Sequence, residues 1–567
     1  GYFSGTADFS GTALVSHGGE DIFVAKYNSA GTLQWVAQAG GTGDDRATGL
    51  ALDSTGTRVL ITGYFTGSAD FGSTNLTSAG STDIVLAQLD RFGNWVWASQ
   101  AGGSLRDAAL GVAVDDSGSA YITGYCQGTA RFDGYTFTVG ASNEVFVARY
   151  NTSGRVSWAV RAGGTGSDTG RAIACDRRGH VYVAGSFHGS ANFGGIGLNS
   201  TGDLGIFLAQ YSAANGGVLW ARQAGSTGQS DDEALALCAD REGSALVSGY
   251  FQNQALFGSN TVSAVTSNTP DLFLAKYDVD GNLLWLQQAG GILSDFGNSL
   301  ATDGCGNAYL AGAFSGTARF GERTITSLGG SDFFVALYDA AGQLVKLRRG
   351  GSAGGDSAQA IAADGKGGAV AAGYYGADAA IGSDALACYG GRDVFLTRLQ
   401  LFASNAPPVI TTFPATQTSF FGSNAMFMAG ASSGAAATFQ WLFDGARIIN
   451  ATNSFLRVTN VQYPKMGGYS VVVSNIFGVV TSAVAQLTVD LFPEFVWLRR
   501  AGGVQDDAAQ AIATDSQGNV LVAGYVKTNA LFGAQAVTNA GLEDVFLAKY
   551  SPDGVLLWVN TAGGTAG

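Results

Sequence analysis

The chain has 567 residues, too many for one ordinary domain. Glycine supplies 85 of them and charged residues 13%, about double and half of the usual shares, which is typical of a turn-rich protein whose strands are covered on both faces. The apolar share of 46% argues against disorder, and the net charge of −14 argues against a nucleic-acid partner.

A repeated segment runs through the chain. The stretch "DIFVAKYNSAGTLQWVAQAGG" at 21–41 recurs in nearly the same form at 271–291 and 544–564. A glycine–aromatic signature marks each copy and starts at residues 1, 63, 124, 185, 249, 312, 373 and 524. Successive starts lie 62, 61, 61, 64, 63, 61 and finally 151 residues apart. The fixed period predicts a repeat architecture, and the long last gap indicates one more repeat plus an insertion of roughly 90 residues.

Each repeat predicts four short β-strands. In the second repeat these are 46–53, 58–65, 83–90 and 94–100, and a loop containing Ala69 and Phe71 joins the second strand to the third. The third strand, "DIVLAQL", is apolar on both faces, which indicates a sheet covered on both sides. Four-stranded blades arranged around an axis give such cover. A solenoid is the alternative, although its repeats are usually shorter.

The repeat pattern "GDDRATGLALDSTGTRVLITGYF", followed by "STDIVLAQLDRFGNWVWASQAGG", resembles the bacterial SBBP-type β-propeller repeat and is similar in strand order to NHL-like blades. The resemblance recurs eight times and implies an all-β, multi-bladed β-propeller whose strands run from axis to rim in chain order. It leaves the function open, because propellers host both enzymes and binding proteins.

The insertion follows a different pattern. The stretch from "APPVITTFPATQ" to "SAVAQLTV" resembles an I-set-like immunoglobulin domain, with Trp441 at the place of the core tryptophan and Tyr469 at the tyrosine-corner position. The cysteine pair of that family would fall at Ala429 and Val471, so the resemblance implies a sandwich held by apolar packing alone. Such cysteine-free copies resemble those of large secreted bacterial surface proteins, which implies a location outside the cell.

We therefore expect propeller repeats at 1–403, an Ig-like β-sandwich at 407–490 and a further propeller repeat at 494–567. The first part supplies seven copies of the second and third strands and six of the first and fourth, with both missing strands expected upstream of residue 1. A seven-bladed ring would make 494–567 the start of a second propeller, and the integer blade count favours this arrangement. The alternative is one eight-bladed ring with the Ig-like domain inserted into a blade hairpin.

The most regular polar feature is a pair of aspartates eight residues apart. The first members are Asp45, Asp107, Asp168, Asp232, Asp295, Asp356 and Asp507, and the second members are Asp53, Asp115, Asp176, Asp240, Asp303, Asp364 and Asp515. They could form calcium sites or acid–base pairs. Alternatively, the second aspartate opens an Asp-x-x-Gly turn while the first binds backbone N–H groups of the crossover between repeats. Equivalent repeats give equivalent surroundings, which favours the structural role over catalysis.

Three further motifs have structural explanations. "DVDGN" at 278–282 resembles the start of a calcium loop, but Ala289 stands where the bidentate glutamate would be, so a hairpin turn is expected. "GGSAG" at 350–354 matches a nucleophile elbow but lies in the glycine-rich crossover. The histidines are His17, His180 and His188, and none takes a recurring position that would build a Ser/His/Asp triad.

A tryptophan series marks the fourth strand. Its members are Trp35, Trp97, Trp158, Trp220, Trp285, Trp497 and Trp558, and the sixth repeat has Lys346 and Leu347 there instead. A sugar-stacking platform would need these rings on one face, so we expect packing between blades. The irregular loop residues Phe71, Tyr135 and Tyr389 are better candidates for contacting a partner.

The five cysteines are Cys126, Cys175, Cys238, Cys305 and Cys388, an odd number without CxxC spacing. A disulfide framework or a zinc site is therefore not expected, and buried free thiols are.

The sequence thus predicts neither an enzyme nor a cofactor, and no catalytic, cofactor-binding or metal-binding residues. We expect a non-catalytic extracellular scaffold or adhesion-type binding module, secreted or at the cell surface, whose partners are other proteins or cell-surface glycans. One alternative is a subunit of an extracellular fibre or surface layer that self-associates into arrays. A second is a glycan-active propeller enzyme, in which unlike carboxylates such as Asp8, Asp70 and Glu322 would converge at one mouth of the ring. No apolar stretch approaches the ~20 residues of a membrane span, so no span is expected in this segment.

Overall fold

The computed structural model describes the chain except for residues 29, 201–202, 227, 229, 304–305, 365–367, 382–383, 401–406, 434–436, 476–477, 491–495 and 566–567. The described residues form β-strands and one 3-10 turn, Tyr463–Lys465, and contain no α-helix, so the all-β prediction is confirmed. No described helix could cross a membrane. Two compact units are present: 1–411 with 431–439 and 473–480, and 412–430 with 440–472 and 481–567.

Seven successive antiparallel sheets build the first unit, and we number them I to VII. Sheet I contains β1 (Tyr2–Phe9), β2 (Thr12–Tyr27) and β3 (Leu33–Gly41); sheet II contains β4 (Arg46–Leu52), β5 (Arg58–Phe65), β8 (Asp83–Asp90) and β9 (Trp95–Ala101); sheet III contains β10 (Ala108–Val114), β11 (Ala120–Cys126), β14 (Glu144–Tyr150) and β15 (Val156–Gly164); sheet IV contains β16 (Thr169–Cys175), β17 (His180–Phe187), β20 (Gly205–Ser212) and β21 (Val218–Ser226); sheet V contains β22 (Glu233–Ala239), β23 (Ala245–Phe251), β26 (Asp271–Tyr277) and β27 (Leu283–Gly291); sheet VI contains β28 (Asp295–Thr302), β29 (Ala308–Phe320), β30 (Arg323–Tyr338) and β31 (Leu344–Ser352); sheet VII contains β32 (Ser357–Ala363), β33 (Gly368–Tyr375) and β36 (Asp393–Gln400).

The strand order within a sheet follows the chain, as predicted. In sheet II the order is β4-β5-β8-β9, and the observed β5 and β8 have the predicted bounds. The third strand of this sheet is buried from Asp83 to Leu89, which agrees with its apolar pattern on both faces. Second and third strands occur seven times and first and fourth strands six times among the described residues of the first unit.

The predicted loop between the second and third strands forms a hairpin instead. The separate hairpin strands are β6 (Ser68–Phe71), β7 (Thr74–Thr77), β12 (Thr129–Phe132), β13 (Tyr135–Thr138), β18 (Ser190–Phe193), β19 (Ile196–Asn199), β24 (Gln254–Phe257), β25 (Asn260–Ser263), β34 (Ala379–Ile381) and β35 (Asp384–Leu386). Each hairpin meets the last strand of the preceding sheet, as where Gly41 lies opposite Ala69. Ala69 and Phe71 are buried, because they cover the junction between two sheets.

The core lies between successive sheets. One cluster joins Tyr182 and Leu208 of sheet IV to Val247 and Phe273 of sheet V, and a second joins Leu274 of sheet V to sheet VI. Sheet V therefore buries one face against the preceding sheet and the other face against the following one.

Residues 409–490 form a set of shorter strands. These are β37 (Val409–Thr412), β38 (Gln417–Phe420), β39 (Ala425–Met428), β40 (Gly430–Ser432), β41 (Thr438–Phe443), β42 (Ala446–Arg447), β43 (Phe455–Val458), β44 (Gly467–Asn475), β45 (Gly478–Thr481) and β46 (Ala485–Asp490). β38 runs parallel to β46, and β39 pairs with β43 in a separate sheet. The expected boundaries at 403–407 and 490–494 fall largely outside the described residues.

The last repeat lies in the second unit. Its strands are β47 (Ala501–Gly502), β48 (Ala508–Thr514), β49 (Val520–Val526), β50 (Ala530–Phe532), β51 (Gln535–Val537), β52 (Asp544–Tyr550) and β53 (Leu556–Ala562). The order β48-β49-β52-β53 defines sheet VIII, which has the same arrangement as sheets II to VI.

Candidate binding surface and the repeated aspartates

The first aspartate of each pair fixes the crossover that leads into the first strand of its sheet. Asp107 Oδ2 accepts the N–H of Gly103 at 2.8 Å, and its Oδ1 accepts the N–H of Gln127 at 3.0 Å. All seven first aspartates make the same two contacts, one with the crossover and one with the residue after the second strand. This confirms the anchoring role.

Burial disfavours the ionised form of five of these anchors, namely Asp45, Asp107, Asp168, Asp232 and Asp295. It raises the pKa of Asp45 and of Asp107 to about 6 and that of Asp295 to about 7. The backbone N–H groups act in the opposite direction but do not outweigh the loss of hydration.

The second aspartate opens the turn between the first and second strands. Asp53 Oδ1 accepts the N–H groups of Thr57 and Arg58 at 2.8 and 3.0 Å, and these bonds, with those from the Thr55 and Thr57 hydroxyls, lower its pKa. Sequence reasoning missed a further contact, because some of these aspartates also meet a cation from the third strand. Lys276 Nζ lies 2.8 Å from Asp240 Oδ2, and both side chains are buried.

The third strand of most sheets contributes a further buried acid that the sequence analysis did not single out. Asp83 begins β8 and Asp271 begins β26, and both are buried. Asp83 raises the pKa of Asp107, and Asp271 raises that of Asp295, so each third-strand acid lies near the first aspartate of the next repeat. The sequence signal for these acids was an Asp or Glu at the start of most third strands, although sheet IV has Gly205 there.

The calcium-loop-like and elbow-like motifs have structural roles. Asp278 Oδ1 accepts the N–H groups of Asp280 and Asn282 at 3.0 and 2.8 Å, which confirms the hairpin turn at 278–282. Within "GGSAG", the Ser352 hydroxyl is buried and donates to Asp356, so it belongs to the crossover anchor. Among the described residues, no group of three or more His, Cys, Asp or Glu side chains is placed to hold a metal ion.

Two histidines contact aspartates that are four residues away. His17 Nδ1 lies 2.7 Å from Asp21 Oδ2, and His180 Nδ1 lies 2.7 Å from Asp176 Oδ2. These pairs belong to sheets I and IV. The backbone N–H of His188 donates to the anchor Asp168.

Six members of the tryptophan series, all except Trp558, pack against the following repeat as predicted. Trp220 Nε1 donates to the carbonyl of Val279 at 2.9 Å, and its ring lies against Gly281 in the third-to-fourth-strand turn of sheet V. The same contact with the next repeat is made by Trp35, Trp158, Trp285 and Trp497.

The residues suggested for partner contact differ in exposure. Phe71 is buried against Trp95, so that suggestion is wrong. Tyr135 is partly exposed and donates to the Ser157 carbonyl, whereas Tyr389 is 92% exposed. Asp8, Asp70 and Glu322 lie in the hairpins of the first, second and sixth repeats, and no described hydrogen bond or ion pair joins any two of them.

One end of the sheets carries residues that do not repeat. This crossover end consists of the crossovers held by the first aspartates and the loops beside them. Ile292, Leu293 and Tyr389 are exposed there. Between sheets IV and V, Glu233 Oε1 accepts Arg171 Nε at 2.6 Å and the Ser186 hydroxyl at 2.9 Å, and burial next to Glu233 raises the pKa of Tyr250 to about 12. The crossover end is therefore the candidate binding surface.

Cys126, Cys175, Cys238 and Cys388 are free thiols as expected, but only Cys126 is fully buried, and the other three are partly buried. Burial raises the pKa of Cys175 to about 12. Cys305 lies outside the described residues.

Parts of the chain are similar to known proteins. The family described as "SBBP: Beta-propeller repeat" matches residues 284–313. An uncharacterized WD repeat-containing protein of Acanthamoeba polyphaga mimivirus is 25% identical over 414 residues, which cover 58% of this chain and 29% of that protein. Regulatory protein FlaEY of Caulobacter vibrioides is 24% identical over 292 residues, 47% of this chain and 30% of that protein. The chain spans about three tenths of the length of these relatives.

Among solved structures, titin M4 is 22% identical and aligns along its whole length with 16% of this chain, at a TM-score of 0.15. A score this low does not establish a shared fold. The match to the repeat family, the similarity to the WD-repeat protein and the repeated antiparallel sheets are together consistent with a propeller-type fold.

Proposed function

We propose that this chain is a non-catalytic binding module that contacts other proteins through the crossover end. The observation that carries the proposal is that all seven first aspartates bind backbone N–H groups. Because these repeated residues have a structural role, the non-repeating residues at the same end of the sheets are the ones that can distinguish one partner from another. Exposed apolar groups such as Ile292 and Tyr389 are suited to partner contact.

We also propose that the first unit is a ring of seven blades. A cavity of about 420 Å³ is lined by Leu50 and Ile61 of sheet II, Val24 of sheet I, and Ile361 and Val370 of sheet VII. Sheets II and VII therefore line one space beside sheet I, which supports closure of the ring by seven sheets over closure by eight.

We further propose that residues 407–490 have an Ig-like fold. Trp441 is fully buried and donates to the Asn453 carbonyl at 2.9 Å. The Tyr469 hydroxyl donates to the Lys465 carbonyl at 2.9 Å, as a tyrosine corner would. Ala429 and Val471, at the cysteine positions of that family, are buried, which supports a sandwich without a disulfide.

The proposed location is extracellular, at the cell surface or secreted, and it rests on the resemblance of the cysteine-free Ig-like region to domains of large secreted bacterial surface proteins. Proteins or surface glycans are the proposed partners. Self-assembly into a fibre or surface layer is the alternative.

Partner binding is tested by comparing the two ends of the sheets. Ile292→Asp and Tyr389→Ala alter the crossover end, whereas Phe92→Asp alters an equally exposed turn at the opposite end. Binding of the purified chain to cells and to surface extracts of its source should fall at least tenfold with the first two variants and stay unchanged with the third. Equal binding by all three, or turnover of surface glycans by the chain, would contradict the proposal.

The anchoring role of the aspartates also predicts indifference to metal removal. A chelator should leave the thermal unfolding curve unchanged, because backbone N–H groups already occupy the carboxylates. A large loss of stability in chelator that calcium restores would reveal a metal ring instead.

A further inference from the structure

Among the described residues, two buried carboxylate pairs have no basic side chain in contact, whereas a third pair, Asp21 with Asp45, has His17 Nδ1 at 2.7 Å from Asp21 Oδ2. The first is Asp83 with Asp107, and the second is Asp271 with Asp295; all four side chains are buried. A Cβ atom placed on Gly102 would lie 3.0 Å from both Asp83 Oδ1 and Asp107 Oδ2, so the two carboxylates flank one glycine. Ionising both members would place two like charges together in a region of low dielectric constant.

In each of these two pairs, one oxygen of the third-strand acid has no hydrogen-bond partner. Asp83 Oδ1 and Asp271 Oδ1 are buried and accept no hydrogen bond from any described residue. Their other oxygens accept one backbone N–H each, from Ala79 and Val265 at 3.0 Å. A buried ionised oxygen without a donor is costly, whereas a protonated carboxyl could itself donate to the neighbouring aspartate.

The corresponding pairs in sheets III and VI are neutralised differently. Arg161 Nη1 lies 2.6 Å from Glu144 Oε2, and Arg349 Nη1 lies 3.0 Å from Asp332 Oδ2. Arg161 stands opposite Phe146 and Arg349 opposite Phe334. In sheets II and V the matching positions are Gln100, opposite Val85, and Gln288, opposite Phe273. The repeats therefore differ at one register position that decides whether a cation reaches the pair.

Nearby charges do not replace the missing arginines. Besides each other, Asp83 and Asp107 interact with the backbone N–H groups of Ala79, Gly103 and Gln127. The titratable side chains beside Asp107 are Tyr125 and Cys126, and burial raises the pKa of both, so neither supplies a cation. Asp271 and Asp295 likewise interact with the N–H groups of Val265, Gly291 and Ser315. Gln100 and Gln288 instead bond the backbones of Thr77 and Ser263.

We infer that the Asp83/Asp107 and Asp271/Asp295 pairs each take up one proton as the pH falls from about 8 to about 5, and that this proton takes the place of the arginine found in sheets III and VI. The proton bonds to the unpartnered Oδ1 of the third-strand acid and can be shared with the anchor aspartate. The two sheet junctions thereby become pH-sensitive, independently of the proposed binding function.

The sign of the effect follows from linkage. Burial raises the pKa of Asp271 to about 6 and that of Asp295 to about 7, from the ordinary aspartate value of 3.8. Between about pH 4 and pH 7 the native state therefore binds more protons than the unfolded state, so stability rises as the pH is lowered. One carboxyl with a pKa near 6 should raise the folding equilibrium about tenfold between pH 8 and pH 5.

Variants of the full chain test this inference. Urea unfolding midpoints would be measured from pH 5 to pH 8 for the parent chain and for Asp271→Asn, Gln288→Arg and Asp332→Asn. Asp271→Asn mimics the protonated acid and should stabilise the chain at pH 8 and flatten its pH dependence. Gln288→Arg should act likewise by supplying a cation. Asp332→Asn is the matched control and should destabilise the chain at pH 8, because it leaves Arg349 unpaired.

Comparing the variants separates the effect of the carboxylate pairs on the pH dependence of stability from the general effect of net charge. The inference is overturned if Asp271→Asn destabilises the chain at pH 8 as Asp332→Asn does, or if neither Asp271→Asn nor Gln288→Arg changes the pH dependence. It is also overturned if a chelator destabilises the parent chain at pH 8 and leaves Asp271→Asn unaffected, because a bound metal ion would then neutralise the pair.

Discussion

Sheets V and VIII have nearly the same sequence pattern and the same strand order, yet they differ in burial. Their third and fourth strands read "DLFLAKYDVDGNLLWLQQAGG" and "DVFLAKYSPDGVLLWVNTAGG". Leu274 of sheet V is 0% exposed, whereas Leu547 of sheet VIII is 40% exposed. Leu237 and Ile512, at matching places in the first strand, are 8% and 73% exposed. The difference shows that the repeat specifies a sheet, whereas the neighbouring sheets determine how much of its apolar surface is buried.

The largest difference in stability between the two regions should come from substituting their tryptophans. Trp220→Ala removes a buried ring that contacts the turn of sheet V, and it should lower the free energy of unfolding by roughly 4 kcal/mol. Trp497 makes the same contact with sheet VIII but is only half-buried, so Trp497→Ala should cost less than half as much. Urea unfolding together with hydrogen exchange in the two sheets measures both effects. Equal losses would contradict the packing argument.

Two matching leucines test the contribution of apolar burial alone, because their side chains form no hydrogen bonds. Leu274→Ala leaves a cavity between sheets V and VI and should cost roughly 3 kcal/mol. Leu547→Ala removes the same atoms from a partly exposed face and should cost under about 1 kcal/mol. Thermal or urea unfolding of both variants would decide. A large loss for Leu547→Ala would mean that a partner covers this face in solution.

The turn aspartates should differ by a smaller amount. The sequence predicts a modest effect for Asp240→Ala, but the ion pair with buried Lys276 raises the expected cost to about 2 kcal/mol. Asp515 makes the corresponding pair with Lys549 in a more exposed setting, so Asp515→Ala should change stability little. Lys276→Met combined with Asp240→Ala should recover part of the loss. Without recovery, the cost would come from the turn and not from the buried lysine.

Much of the fold was predictable from particular residues. The glycine–aromatic signature fixed the period, and "RVLITGYF" and "DIVLAQLD" gave the bounds of β5 and β8. The loop with Ala69 and Phe71 was not recognised as a hairpin, because its strands pair with the sheet of another repeat and four residues carry little local signal. Phe71 was assigned to the surface for the same reason.

The candidate surface was less predictable than the fold. The spacing of the aspartates indicated their anchoring role, since each binds backbone groups close in sequence or in the same repeat. The Glu233–Arg171 contact joins residues that lie 62 positions apart, so no local pattern points to it.

The sequence by itself determined the repeat length, the four strands of each sheet, the turns opened by the second aspartates and the place of the tryptophans, because these depend on local patterning and on contacts that recur in every copy. Only the tertiary structure decided which apolar faces are covered, which turn aspartates meet a lysine and which buried acids lack an arginine. Those properties depend on the side chains that a neighbouring sheet brings within a few ångströms. Gln288 and Arg349 occupy the same place in the repeat. Replacing arginine by glutamine there matters for the charge of the site only because the fold packs buried acids beside this position.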